Sequence, residues 1–120
     1  MAVRAIRGAT HLSADDAEEM REAVVELVRA MLERNGLSTD DLISVLFTAT
    51  PDLLSVFPAG AARALDIGDV PLICAQEIDV RGAMPRVVRV MAHVECDRPR
   101  SAVVHVYLRG AEALRADLAQ

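Results

Sequence analysis

The sequence predicts an α+β domain of order β-α-β-α-β-β, a mixed sheet with its helices on one face. Three observations carry this. Met20, Val24, Leu27, Val28 and Met31 recur at helical spacing within an otherwise charged stretch. Residues 43–49 form an apolar run of strand length. Residues 87–96 alternate with period two, Arg89, Met91, His93 and Glu95 against Val88, Val90, Ala92 and Val94. Strands and helices of these lengths pack as one helical layer on one sheet, which leaves a second sheet face to cover. Association with further copies can cover it.

The elements follow in order. Val3 to Arg7 reads as a short strand ending at Gly8. Ser13 is placed as an N-cap, with Asp15 and Asp16 in the first turn at the positive end of the helix. That helix runs to about Arg34, and Asn35-Gly36 stops it. Glu18, Glu19, Glu22, Glu26, Arg29 and Glu33 are its solvated side. Ser38-Thr39-Asp40-Asp41 reads as a capped turn. Ile43 to Ala49 is expected to be buried on both faces. Pro58 suits the first residue of a short helix over 59–65. Val70 to Gln76 is a third strand, Arg81 to Pro85 a loop, and Val87 to Cys96 a fourth strand. Val103 to Leu108 alternates again, with His105 and Tyr107 opposite Val104, Val106 and Leu108. The tail after Arg109 reads as helical or frayed.

Composition narrows the function classes. At 120 residues the chain is read as a single domain over 1–120. It is 52% hydrophobic, with two Phe, one Tyr and no Trp. The core is therefore aliphatic, and some apolar surface is expected to meet other subunits. All 13 cationic side chains are arginine, forks suited to carboxylate or phosphate. A net charge of −5 argues against a nucleic-acid surface. A small dianion would need a local arginine cluster working against that field. Two cysteines without metal or disulfide spacing, no apolar leader after Arg4 and Arg7, and no run of membrane-spanning length fit a cytoplasmic protein with free thiols.

Several residues could carry chemistry. Arg89 and Tyr107 lie on the polar faces of strands taken as neighbours, where they could grip one carboxylate. The pattern alone favours a solvated or salt-bridged arginine and a rim tyrosine. Arg7 ends a strand before glycine and on its own reads as a surface cation rather than a ligand contact. Arg63 closes a helical turn, where the helix dipole alone would favour it. Arg115 falls in the tail. Glu77 follows the apolar strand Leu72-Ile73-Cys74-Ala75, at a strand end in water or in a partly buried site. Cys74 suits a small core position. Cys74 and Glu77 are three apart, so a regular strand points them to opposite sides; serving one site requires a bulge or a strand end between them. His11, His93 and His105 share no ligand spacing, so zinc is not expected. No phosphate loop, nucleotide fingerprint or nucleophile setting at Ser55 or Ser101 appears. No metal or cofactor is implied, which suits a unimolecular reaction driven by binding and electrostatics.

Five blocks then act together: Ile6-Arg7-Gly8-Ala9-Thr10, the segment Thr48 to Arg63 with its Thr50-Pro51-Asp52 turn and Phe57-Pro58, Val70 to Val80, Arg89-Val90-Met91, and His105-Val106-Tyr107-Leu108. With Arg115 near the end, they resemble the monofunctional chorismate mutases of the trimeric, Bacillus-type family. The resemblance covers about Arg4 to Leu118. It implies a homotrimeric pseudo-barrel with sites between subunits, and conversion of chorismate to prephenate. It assigns Arg89 to the ether oxygen, Arg7 and Tyr107 to the side-chain carboxylate, and Glu77 with the Cys74 region to the ring hydroxyl. Phe57 packs on substrate, and Arg63 and Arg115 attract the ring carboxylate. Ala59, Ile73 and Leu114 complete the substrate-binding set. Phe57 and Arg63 would come from one subunit, Arg7, Glu77, Arg89 and Tyr107 from its neighbour. Gly60 stands where some relatives carry lysine, which removes one cation from the mouth, and the lid after Arg115 is expected to be short. Two other readings remain on the residues themselves: a non-catalytic trimer that binds a small carboxylate, and an imine-hydrolysing deaminase-like enzyme using Glu77 and Arg89.

Overall fold

Gly8 does not end the first strand. In the computed structural model, which describes residues 2–114, strand β1 spans Val3–His11 and passes straight through it. A Cβ at Gly8 would stand 2.4 Å from Met31 Sδ and 3.1 Å from Leu27 Cδ1. The missing side chain lets helix α1 (Ala17–Glu33) lie close against the strand.

The cap of α1 is Asp16 rather than Ser13. The Asp16 carboxylate accepts the Glu19 amide at 2.9 Å, a contact that contributes on the order of 1 kcal/mol. Ser13 is instead held from inside the helix: Glu19 accepts its amide at 2.6 Å and its hydroxyl at 2.8 Å. The predicted apolar stripe is buried, joined by Ala23 and Leu32. The helix terminates through Gly36 at φ +66, and the Leu37 amide returns to the Leu32 carbonyl at 2.9 Å. Buried Asn35 has a second task. Its Nδ2 donates to the carbonyls of Met31 and Val104 at 2.7 and 2.9 Å, and its Oδ1 accepts the Val104 amide at 2.8 Å.

A capped 3₁₀ turn, Thr39–Asp41, precedes β2 (Leu42–Ala49). Helix α2 (Pro58–Ala61) continues as a 3₁₀ turn over Ala62–Leu65. Strands β3 (Leu72–Gln76), β4 (Val87–Glu95) and β5 (Val106–Tyr107) complete a mixed sheet of order β3-β2-β4-β1-β5. The sheet has one strand more than the expected order counts, because the alternating 103–108 segment contributes a two-residue fifth strand. β4 is antiparallel to both β1 and β2, while β3 and β5 run parallel to β2 and β1. β4 and β5, read as neighbours, are separated by β1. Asn35 fixes Val104, and that contact delivers the chain to the far side of β1.

The helices share one sheet face. Ile6, Val45, Phe47, Val88, Val90, Ala92, Val94 and Val106 pack with the α1 stripe and with Ala61, Ala62 and Leu65 in one core. β2 is therefore buried on one side only: Val45 and Phe47 are enclosed, but Ile43 and Leu46 are exposed. The open face carries Val3, Arg7, Leu46, Thr48, Ile73, Arg89, Met91 and His93. At one end of it the turn after β5 folds back, and Ala111 and Leu114 pack on Ala9 and Tyr107.

Candidate active site

Arg89 stands in the middle of the open face. Its direct neighbours are Thr48 on β2 and Ala9 on β1. Arg7 lies two residues along β1 from Ala9 on the same side, a diagonal neighbour at about 7–8 Å between backbones. Tyr107 is paired with Ala9 on β5, so its backbone lies two strand spacings from Arg89, about 10 Å. On the other flank, Glu77 follows β3 and its amide still donates to the Ala49 carbonyl at 2.9 Å. Thr48, Arg89 and Glu77 thus meet at one edge of the face. The Thr48 hydroxyl donates to Glu77 Oε2, and Glu77 Oε1 lies 3.4 Å from Arg89 Nε. That Nε is buried and makes no hydrogen bond, although the arginine side chain as a whole is 41% exposed. Arg89 and Glu77 open into a cavity of 490 Å³ walled by Thr50, Ile78, Met84, Val87 and Leu114.

The start of β4 is held by the first turn after β2. Asp52 accepts the Arg86 amide at 3.0 Å and the Thr50 hydroxyl at 2.5 Å, and Thr50 Oγ1 accepts the Val87 amide at 3.0 Å. Arg86 sits at φ +52 and donates through Nε to the Leu12 carbonyl at 2.9 Å. This clamp sets the register from which Arg89 projects.

Phe57 belongs to a different cavity. It lines a space of 240 Å³ with Pro51, Leu54, Val56, Cys74, Ala75 and Gln76. Phe57 is 75% exposed and Ile73, on the edge strand, 65%. Arg63 is exposed on the turn after α2. Cys74 points to the helix side, pairs with Phe47 on β2 and accepts the Ala59 amide at 3.4 Å. β3 ends at Gln76, between Cys74 and Glu77, the strand end that a shared site requires. Within one chain the Cys74 side chain lies beside Phe57 and Ala59 and faces away from Glu77. The two-residue period of the strand is the physical reason.

The Phe57 segment is itself tethered. Asp15 accepts the amides of Leu54 and Ser55 at 3.0 and 3.1 Å and the Ser55 hydroxyl at 2.8 Å. The Ser55 hydroxyl above all holds the Asp15 carboxyl below its ordinary value; desolvation opposes it, and the amides of Leu54 and Ser55 add to the lowering.

One chain thus brings Arg89, Glu77 and Leu114 to one cavity, with Arg7 and Tyr107 on the same face. It gathers Phe57, Cys74 and Ala59 elsewhere, with Arg63 exposed beyond them, and leaves Ile73 on the open face of the edge strand. Arg115 lies outside the described residues. Thr48, Thr50, Asp15 and Asp52 were not singled out as site residues. Alternation along β2 does place Thr48 on the exposed side with Leu46, which was the available signal; Asp15 and Asp52 act across the fold and left none.

The family profile for chorismate mutase type I matches residues 3–118. A Thermus thermophilus protein described as chorismate mutase AroH is 49% identical over 117 residues, 97% of this chain and 96% of that one. A Bacillus subtilis protein of the same description is 41% identical over 119 residues, 98% and 94% of the two chains. The solved structure of a chorismate mutase from Clostridium thermocellum superposes with a TM-score of 0.88 at 45% identity, covering 91% of this chain and 97% of that chain. The carboxylate-binding module and the imine-hydrolysing enzyme give way to this match. With the same sheet, an arginine at its centre and a family match over almost the whole chain, the protein belongs to the chorismate mutase type I family, a class of isomerases.

Proposed function

We propose that the chain converts chorismate to prephenate at a site shared between the subunits of a homotrimer. The reaction is internal to the substrate: one carbon–oxygen bond breaks, one carbon–carbon bond forms, and no atom or proton leaves. An enzyme can speed it by holding the substrate's compact, chair-like conformer. It can also bind the charge that separates in the transition state more strongly than the ground state.

The observation that carries this reading is Arg89, a central-strand guanidinium facing a cavity beside Glu77. Its fork serves the ether oxygen as that oxygen gains negative charge. A preorganised donor of this kind contributes about 3–4 kcal/mol to the barrier. Arg7 and Tyr107 hold the side-chain carboxylate. Glu77 accepts from the ring hydroxyl and faces the ring as it becomes electron-poor.

Phe57, Ala59 and Ile73 form the wall contributed by the neighbouring subunit, with Arg63 at the mouth for the ring carboxylate, while the Cys74 region joins Glu77 at the ring hydroxyl. Arg115 serves the same carboxylate. Two features support a shared site. Phe57 and Arg89 open into separate cavities of one chain. The open sheet face also exposes Leu46, Ile73 and Val3, which a partner would cover. No helix among the described residues is long and apolar enough to cross a membrane, and we place the enzyme in the cytoplasm, in aromatic amino acid biosynthesis.

Incubating the purified protein with chorismate and following the loss of its absorbance tests the activity; unchanged chorismate ends the proposal. Mixing subunits carrying Arg89→Ala with subunits carrying Arg63→Ala and Phe57→Ala, after unfolding and refolding together, tests the shared site. Sites assembled from the two intact halves restore turnover, whereas a site within one chain leaves the mixture as poor as its components.

A further inference from the structure

We propose that Thr48 is a positioning residue for this reaction, holding Glu77 off the Arg89 fork so that the guanidinium stays available to substrate. The inference rests on the roles given above to Arg89 and Glu77. Its starting point is an ion pair that does not close. Glu77 and Arg89 are opposite charges on adjoining elements, and an arginine fork normally takes a carboxylate in two parallel bonds of about 2.7–2.9 Å. Here Nε lies 3.4 Å from Oε1, and that Nε has no hydrogen-bond acceptor. The other carboxylate oxygen is engaged by the Thr48 hydroxyl.

The register explains how one hydroxyl can do this. Thr48 is the direct partner of Arg89 on one side and of Ala75 on the other. It therefore stands in the strand between the arginine and the acid. A carboxylate anchored there keeps its charge near the substrate without neutralising the cation. Without the hydroxyl, nothing on the β2 side holds Oε2, and the carboxylate is free to rotate onto the fork. The guanidinium that should meet the departing ether oxygen would then be spent on Glu77. Such a loss falls on the transition state more than on ground-state binding, so it lowers kcat more than it raises KM.

Thr48→Val keeps the branched shape suited to a strand and removes only the hydroxyl. It should lower kcat roughly tenfold, in line with the loss of one hydrogen bond to a charged group, with KM changed by less than about twofold. Thr48→Ser should restore most of the rate. The deciding measurement is a double-mutant cycle with Glu77→Gln. If Thr48 acts through the carboxylate, Thr48→Val should cost less than about twofold once Glu77 is already changed. An equal loss in both backgrounds, or a Thr48→Ser variant as slow as Thr48→Val, overturns the proposal. So does a Thr48→Val enzyme with normal kcat. A Glu77→Gln enzyme with normal turnover would instead remove the role given to Glu77, which separates the two failures. Circular dichroism and thermal melting of each variant keep loss of fold apart from loss of rate.

Discussion

The two halves of the candidate site are built differently. The Arg89 half stands on central strands. Arg89 has a hydrogen-bonded strand on each side, and the start of its own strand is clamped through Asp52, Thr50 and Val87. The Phe57 half stands on a connection between β2 and a four-residue helix, exposed and held to the rest by Asp15 and by the Cys74 sulfur. A group that must meet a transition state needs placement within a fraction of an ångström, and strands supply that. A group that gathers substrate at a mouth tolerates a looser mount. Damage to the first half should therefore appear in kcat, and damage to the second in KM.

The largest effect expected is at Arg89. Arg89→Lys should lower kcat by roughly 10²-fold or more with little change in thermal stability, because a point charge cannot reproduce the fork aimed at the ether oxygen. Steady-state kinetics on chorismate checks it. Near-normal kcat in a folded variant would remove the strand-mounted half from the chemistry and erase the contrast.

How much of this the sequence carried depended on the range of the contact. The period-two alternation of β4 correctly put Arg89, Met91 and His93 on one side and the valines on the other, since strand geometry alone sets that. The same rule foretold that Cys74 and Glu77 face apart on a regular strand, and β3 ends at Gln76 between them. Strand neighbours were less legible. Nothing local to 103–108 says that it pairs with β1 rather than β4; that depends on Asn35 holding Val104 across the fold. Gly8 looked like a stop because only the approach of Met31 and Leu27 shows it to be a seat for the helix. Thr48 looked like one residue in an apolar run until Arg89 and Glu77 were placed on either side of it.

A smaller effect is expected at the mouth. Arg63→Ala should raise KM about tenfold and leave kcat within about twofold, as for a contact made equally before and during the reaction. Arg63 is exposed, so the substitution should not disturb the fold. A fall in kcat with KM unchanged would place Arg63 with the reacting atoms and blur the division between the halves.

The smallest effect sharpens the comparison from a distance, because Asp15 acts on the mouth only through its mount. Its carboxylate carries the amides of Leu54 and Ser55 and the Ser55 hydroxyl, two residues before Phe57. Asp15→Ala should raise KM a few-fold, less than Arg63→Ala, and leave kcat nearly intact. It should also show a pH signature. The carboxyl is held below its ordinary value in the folded protein, so its stabilising contribution is complete above the unfolded value of about 4 and is lost as pH falls through the lower folded value. The gap in melting temperature between the wild-type protein and Asp15→Ala should therefore be constant above about pH 5 and shrink in more acidic buffer. A gap that ignores pH would mean the tether works as a neutral spacer. A KM that stays put would mean the Phe57 segment holds its shape without Asp15, and that the mouth is as firmly built as the strands.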